Sequence, residues 1–277
     1  MTLSLADLTM LANGLDHPEG IAAGPDGLLY TGGEAGQVYR IDPAAPSYEQ
    51  IADTGGFVLG IAHDAAGRLY ACDAGRLAVL RIDPARGEIE TYCDSAGGTA
   101  LTAPNWAAFA PDGSLWLSDS GTESLTIQDG RLLRIPPGGG DAEIVDVGRR
   151  LHFPNGLAVA SDGTVYLLES FTPRLSALRD GRLETVVDLP GVVPDGVALD
   201  VEGGFVIACY YPFRLLRVSA AGEIETLLDD PTGIHIPMPT NVAFFGPELK
   251  SLAIASLGGY AIKAIDVPVA GVPVTYP

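Results

Sequence analysis

Short apolar runs alternate with turn residues along the whole chain, and one arrangement of them returns six times. Each return begins at Pro18-Glu19-Gly20-Ile21-Ala22, Leu59-Gly60-Ile61-Ala62, Pro104-Asn105-Trp106-Ala107, Pro154-Asn155-Gly156-Leu157-Ala158, Pro194-Asp195-Gly196-Val197-Ala198 or Thr240-Asn241-Val242-Ala243. The first five run into turns at Pro25-Asp26-Gly27, Ala66-Gly67, Pro111-Asp112-Gly113, Ser161-Asp162-Gly163 and Glu202-Gly203, and the sixth into Gly246-Pro247. Asp-Gly between two alternating runs predicts a β-hairpin, because the turn needs positive φ angles that Gly and Asp tolerate. Runs such as Leu28-Leu29-Tyr30 and Val165-Tyr166-Leu167 supply the second strand. Val38-Tyr39-Arg40-Ile41-Asp42 and Leu80-Arg81-Ile82-Asp83 read as third strands, and Glu88-Ile89-Glu90-Thr91-Tyr92 and Arg182-Leu183-Glu184-Thr185-Val186 as fourth strands.

Four strands per repeat, at a spacing of about 40 to 50 residues, predict blades that bury their faces only by stacking around a ring. The expected fold is all-β: a six-bladed β-propeller with four-stranded antiparallel blades around a central channel. Helical solenoids are excluded by the lack of helical apolar periodicity, and a parallel β-helix by the length of the repeat. Pro and Gly punctuate the chain evenly and no linker interrupts it, so one domain over residues 1–277 is expected.

Composition supports this reading and narrows the partners. Hydrophobic residues are 47% and charged residues 18%, enough for a packed core and too apolar for a disordered chain. The longest apolar stretches fall short of the roughly 20 residues of a membrane span. Met1–Asn13 has no Lys or Arg and carries Asp7 within its apolar part, unlike a secretory leader, so the expectation is a cytoplasmic protein with no membrane partner. A net charge of −19 repels phosphate backbones, which excludes nucleic acid as a natural partner and reads as a solubilising surface. Cys72, Cys93 and Cys209 are odd in number and form no CxxC pair, so neither a disulfide framework nor a thiolate metal site is expected. A ring without an open sheet edge is expected to be monomeric.

In such a ring the first strand of every blade lines the channel, so equivalent positions face the axis at one end. Those positions are Glu19, Leu59, Asn105, Asn155, Asp195 and either Thr240 or Asn241. Converging carboxylates and carboxamides are costly in a low-dielectric channel unless a cation sits among them. An all-oxygen donor set suits a hard ion, Ca²⁺ first, with Mg²⁺ or Mn²⁺ next; a structural zinc site is disfavoured by the absence of His and Cys. The alternative for any single member is strand capping.

His17-Pro18-Glu19-Gly20, Phe153-Pro154-Asn155-Gly156-Leu157, Pro194-Asp195-Gly196-Val197-Ala198-Leu199-Asp200 and Pro239-Thr240-Asn241-Val242-Ala243-Phe244 resemble the regucalcin/gluconolactonase family and, more distantly, the diisopropyl fluorophosphatases and paraoxonases. The resemblance covers essentially the whole chain. It implies that Glu19, Asn155 and Asp195 ligate one divalent metal, Ca²⁺ by preference, with Mg²⁺, Mn²⁺, Fe²⁺ and Zn²⁺ as alternatives. Asn105 is implied as a fourth ligand or a substrate contact. Strictosidine synthase-like propellers, which are related, lack this donor set. Sugar-lactone members often carry Arg two residues before the Asn of the third blade, where this chain has Ala103; a polyhydroxy substrate is therefore less expected, and Phe57, Leu59 and Trp106 suit a less polar lactone or ester.

The implied activity is metal-dependent opening of lactones or related esters, a small-molecule reaction in which Asp195 first, or Glu19 second, takes the proton of the attacking water. Direct attack by Asp195 is the other route. Phosphotriester or fluorophosphate hydrolysis, and a non-catalytic metal- or ligand-binding propeller, are the competing functions. His17, His152 and His235 each precede a ring segment and are candidate substrate contacts or proton shuttles beside Asn105 and Trp106. His63 reads as structural, and Asp119 and Glu169 as strand-end groups or supports beneath the ring. No Gly-x-Ser-x-Gly elbow is present, so a Ser-His-Asp hydrolase is not supported.

Overall fold

The computed structural model describes residues 3–45 and 47–277. Its strands form six four-stranded antiparallel sheets, each of which is one blade. Blade 1 comprises Ile21–Ala23, Leu29–Gly32, Gln37–Asp42 and Ser47–Asp53; blade 2 comprises Val58–His63, Leu69–Asp73, Ala78–Asp83 and Glu88–Cys93. Blades 3, 4 and 5 begin with the inner strands Pro104–Phe109, Pro154–Val159 and Val193–Leu199, and end with Glu143–Ile144, Arg182–Asp188 and Ile224–Asp229. The inner strands contact one another in cyclic order, blade 6 returning to blade 1, so the chain closes into the expected propeller.

Blade 6 is assembled from both ends of the chain. Pro239–Phe245, Ser251–Ser256 and Ala261–Asp266 are its first three strands, and the outermost is Thr9–Asn13, which pairs antiparallel with Ala261–Asp266. Leu11 and Ala12 of that strand are buried in the cluster between blades 6 and 1 with Ile21, Ile41 and Ile262. A ring whose last sheet holds both chain ends is locked against opening, because separating the blades requires breaking that pairing first. A short extra hairpin pairs Ser95–Ala96 with Thr99–Ala100 in the connection between blades 2 and 3.

Apolar side chains alternating along each strand pack between neighbouring blades. Tyr70 of blade 2, for instance, stands edge-on to Tyr92 and Phe109, with both ring centroids at 4.8 Å. The hairpins form where the turn residues place them: Gly27 has φ 82°, and the Asp26 carboxylate accepts the Leu28 amide at 3.1 Å. Asp112 and Asp162 accept the Ser114 and Thr164 amides in the same way, each at 2.9 Å. All three cysteines are free and buried, as their apolar surroundings imply. Among the described residues no helix is long and apolar enough to cross a membrane.

Candidate functional site

Antiparallel pairing decides which loops share an end of the ring. Each inner strand begins opposite the end of the second strand, as in Val58↔Asp73, Pro104↔Asp119, Pro154↔Glu169 and Pro239↔Ser256. Loops that follow second strands therefore lie beside those that precede inner strands, and together they surround one mouth of the channel. The register slips just inside this mouth, between Val58 and Ile61, Pro104 and Trp106, Pro154 and Leu157, Pro194 and Val197, and Pro239 and Asn241. Leu59, Asn105, Asn155, Asp195 and Thr240 fall in those bulges. A bulge frees a residue from the ladder and re-aims its side chain.

Glu19, Asn105, Asn155, Asp195, Thr240 and Asn241 are all buried, each at most 7% exposed. Hydroxyls lock the backbone beneath them. Thr240 donates to the Glu19 carbonyl at 2.6 Å, Ser120 to that of Pro154 at 2.7 Å, and Ser170 to that of Pro194 at 2.7 Å. The Asn155 amide nitrogen donates to Ser170 Oγ at 3.1 Å, which orients its carboxamide. The Thr240 hydroxyl hydrogen is committed to that bond, whereas the buried Asn241 Oδ1 has no hydrogen-bond partner among the described residues. Its carboxamide lies across Gly196, where an added Cβ would sit 2.2 Å from Asn241 Nδ2, so only glycine allows this approach beside Asp195.

The electrostatics of this cluster suit a positive charge. Glu19 Oε2, Asn105 Oδ1 and Asn241 Oδ1 are buried atoms with no hydrogen-bond partner among the described residues. Burial raises the Glu19 carboxyl to about 8. Burial, together with the charge of Glu19, raises Asp195 well above the usual carboxylate range against a small opposing hydrogen bond from Asn155. Two buried carboxyls that resist ionisation, beside orphaned carboxamide oxygens, are the donor set a hard divalent cation satisfies. Glu19, Asn105, Asn155, Asp195 and Asn241 are therefore the residues that fit one.

Asp119 and Glu169 are fully buried supports that hold the strand entries. Asp119 accepts the Thr102 amide at 3.1 Å and the Ala103 amide at 2.6 Å, and pairs with Arg131. Glu169 accepts the His152 amide at 3.0 Å and pairs with Arg149 at 2.5 Å and Arg174 at 2.8 Å. Burial alone would raise the Glu169 pKa, but the hydrogen bonds from the two guanidiniums and the His152 amide outweigh it and hold the group below its ordinary value. Glu169→Gln removes a buried charge that compensates two half-buried arginines, and a loss of about 3 kcal/mol in urea unfolding is expected; a change within experimental error would assign no structural weight to the pair.

The histidines separate into distinct environments. His17 Nδ1 lies 3.1 Å from Asp16 and 3.2 Å from Glu34, with its ring tilted against Tyr260 at 4.6 Å. His152 is buried with both ring nitrogens occupied, Nε2 2.8 Å from the Ser124 carbonyl and Nδ1 3.2 Å from Thr172 Oγ1. His235 is exposed, and its amide is fixed by Asp230 at 2.6 Å. His63 lies at the opposite end of the channel, on the last residue of its inner strand. Trp106, 8% exposed, packs its indole over Gly60 on the inner side of the donor cluster and also lines a cavity beyond it. Asn241, one of two sixth-blade candidates in the sequence, is separated from Thr240 only by the tertiary hydrogen bond that engages the hydroxyl.

Residues 17–258 match the family described as SMP-30/Gluconolactonase/LRE-like region. A gluconolactonase of Zymomonas mobilis is 24% identical over 215 residues, covering 69% of this chain and 58% of that protein. An Arabidopsis thaliana protein named strictosidine synthase-like 3 is 27% identical over 198 residues, 65% of this chain and 50% of the relative. The chain thus spans about half the length of the curated relatives it matches. Among solved structures, a gluconolactonase of Xanthomonas campestris superposes with a TM-score of 0.79 at 23% identity, covering 94% of this chain and 89% of that one. A calcium-binding protein, regucalcin, of Agrobacterium tumefaciens gives 0.78 at 17% identity, covering 97% and 96%. These structural likenesses carry the fold.

Proposed function

The chain belongs to the SMP-30/gluconolactonase/LRE-like family, and from that premise we propose that it is a metal-dependent hydrolase that opens lactones or related esters at the donor cluster. The observation that carries the reading is the set of orphaned oxygens of Glu19, Asn105 and Asn241 beside two carboxyls of raised pKa. Glu19, Asn105, Asn155, Asp195 and Asn241 would hold the cation, Ca²⁺ by preference because every donor is oxygen and a relative in fold is described as calcium-binding. When bound, the cation supplies Lewis-acid polarisation of the substrate carbonyl and stabilises the oxyanion.

The protein's own groups do the rest. Asp195 is the proton acceptor in this reading, since it is a carboxylate buried within the donor cluster, beside the place where the substrate carbonyl and the attacking water would meet. Water adds to the carbonyl carbon and passes its proton to Asp195; the ring C–O bond breaks, and Asp195 returns that proton to the departing oxygen to give a hydroxy acid. Asn105 orients the substrate or completes the cation's shell. Substrate polarity is set by the mouth, where Leu125, Ile127, Ile234 and Tyr260 are exposed on loops that precede inner strands or follow second strands. Such an apolar rim favours lactones with alkyl or aryl substituents over polyhydroxy ones.

Hydrolysis of a panel of aliphatic, aromatic and sugar lactones tests this, with chelator and then with Ca²⁺, Mg²⁺, Mn²⁺, Fe²⁺ or Zn²⁺ restored. The expected result is turnover that disappears on chelation, returns with one metal and is fastest with the apolar members. No turnover of any lactone or ester with any metal would overturn the reading. Phosphotriester turnover, or a product whose mass shows no added water, would then assign the site to one of the other chemistries this fold carries.

A further inference from the structure

The end of the channel opposite the donor cluster holds a cavity of about 140 Å³ that the proposed reaction does not use. Its wall comes from the last residues of the inner strands, where Ala23, Phe109, Val159, Leu199 and Phe244 occupy matching places and His63 is the single polar member of that ring. Trp106 lines it from the side of the donor cluster. Val272–Tyr276 roof it over. That strap is fixed by the Val272 amide to the Leu199 carbonyl at 2.9 Å and by the Tyr276 hydroxyl to the Ala23 carbonyl at 2.8 Å.

His63 is 3% exposed, and among the described residues neither of its ring nitrogens has a hydrogen-bond partner. Tyr30 stands edge-on to its ring at 4.6 Å, a contact that satisfies no ring nitrogen. Burial, the dominant influence, pushes the imidazole down to about 4 against the opposing charges of Asp26 and Asp64, so near neutral pH the ring is uncharged, with one donor and one acceptor. A buried polar side chain with both ring nitrogens unpaired, on a cavity wall whose other side chains are apolar apart from Trp106, Thr275 and Tyr276, is the mark of a group waiting for a partner.

We propose that this cavity is a second binding site, for a neutral, mostly apolar molecule of about benzene size that carries one hydroxyl, held by a hydrogen bond to His63. The size follows from the volume, since an engineered apolar cavity of about 150 Å³ takes up benzene. The hydroxyl follows from the uncharged imidazole, whose bare nitrogen accepts from an O–H. The neutrality follows from the wall, whose lining includes no Asp, Glu, Lys or Arg side chain. The site is independent of lactone hydrolysis.

The four histidines make the test direct, because His17, His152 and His235 lie towards the mouth and His63 alone lines the cavity. The full chain, labelled with ¹⁵N-histidine, is titrated with phenol and separately with toluene, which has the same ring and no hydroxyl. Phenol is expected to shift the His63 ring resonances saturably and to bind about fivefold more tightly than toluene, the usual net worth of one hydrogen bond. In His63→Phe the preference for phenol is expected to disappear while toluene binding persists. Unmoved His63 resonances in the wild-type protein would overturn the proposal and leave His63 a packed core residue, a result that needs no variant to fold. Phenol shifts confined to the other three histidines would overturn it as well, by placing the ligand at the mouth.

Discussion

Asp195→Asn is expected to lower kcat/KM for lactone hydrolysis by about 10³-fold, within the range of about 10² to 10⁴ that a positioned acid-base group contributes. Activity alone would not separate a catalytic loss from misfolding, so stability has to be read beside it. Asp195 is buried, and both burial and the Glu19 charge oppose its ionisation. Replacing it with an uncharged amide of the same shape relieves that repulsion. The metal-free variant is therefore expected to unfold at a temperature equal to or above that of the metal-free wild type, and to lose the metal-dependent gain in Tm. Retained activity with a normal metal response would remove Asp195 from the site. A collapse in Tm without metal would assign it a structural role instead.

The second large effect is on stability as a function of pH. The folded pKa values of Glu19, about 8, and of Asp195 are raised above their unfolded values. Groups of this kind contribute stability that is full below the unfolded carboxyl pKa of about 4 and is lost as pH rises through the folded values. Metal-free protein is thus expected to weaken between about pH 5 and pH 8. Below about pH 6.5 the buried neutral His63, whose folded pKa is lowered to about 4, works the other way and costs stability as pH falls. A divalent cation reverses the carboxylate loss, because it binds the ionised forms. At about a thousand times its Kd it adds about 4 kcal/mol, roughly 10 °C for a chain of this size. The gain should be greater near pH 8 than near pH 5. Thermal scans with chelator and with Ca²⁺ across that range check this, and a Tm indifferent to divalent ions at every pH would show that the cluster does not hold one.

Much of this architecture was legible in the residues. Hairpin signals such as Pro25-Asp26-Gly27 and Pro111-Asp112-Gly113 are local, since the turn's backbone angles and its Asp-to-amide hydrogen bonds involve residues two apart, and repetition of such units around a ring follows from their inability to bury two faces alone. The gathering of Glu19, Asn105, Asn155 and Asp195 at one end of the channel was legible for the same reason, because equivalent places in a repeat become equivalent places in space. Blade 6 was not legible in full: Thr9–Asn13 has no neighbouring hairpin to announce it, and its partner Ala261–Asp266 lies at the far end of the chain.

What the sequence determined by itself is the class of fold, the count of blades and the placing of oxygen-bearing side chains around one end of the channel, all consequences of short-range pattern multiplied by repetition. The tertiary structure alone decided that the Thr240 hydroxyl is engaged and the Asn241 oxygen is not, that Glu169 gathers Arg149 and Arg174, that His152 has both nitrogens occupied, and that His63 stands unpartnered under a strap drawn from residues 272–276. Each of these depends on which side chains from distant segments compete for one donor or acceptor, and that competition is settled only once the ring has closed and water has left its interior.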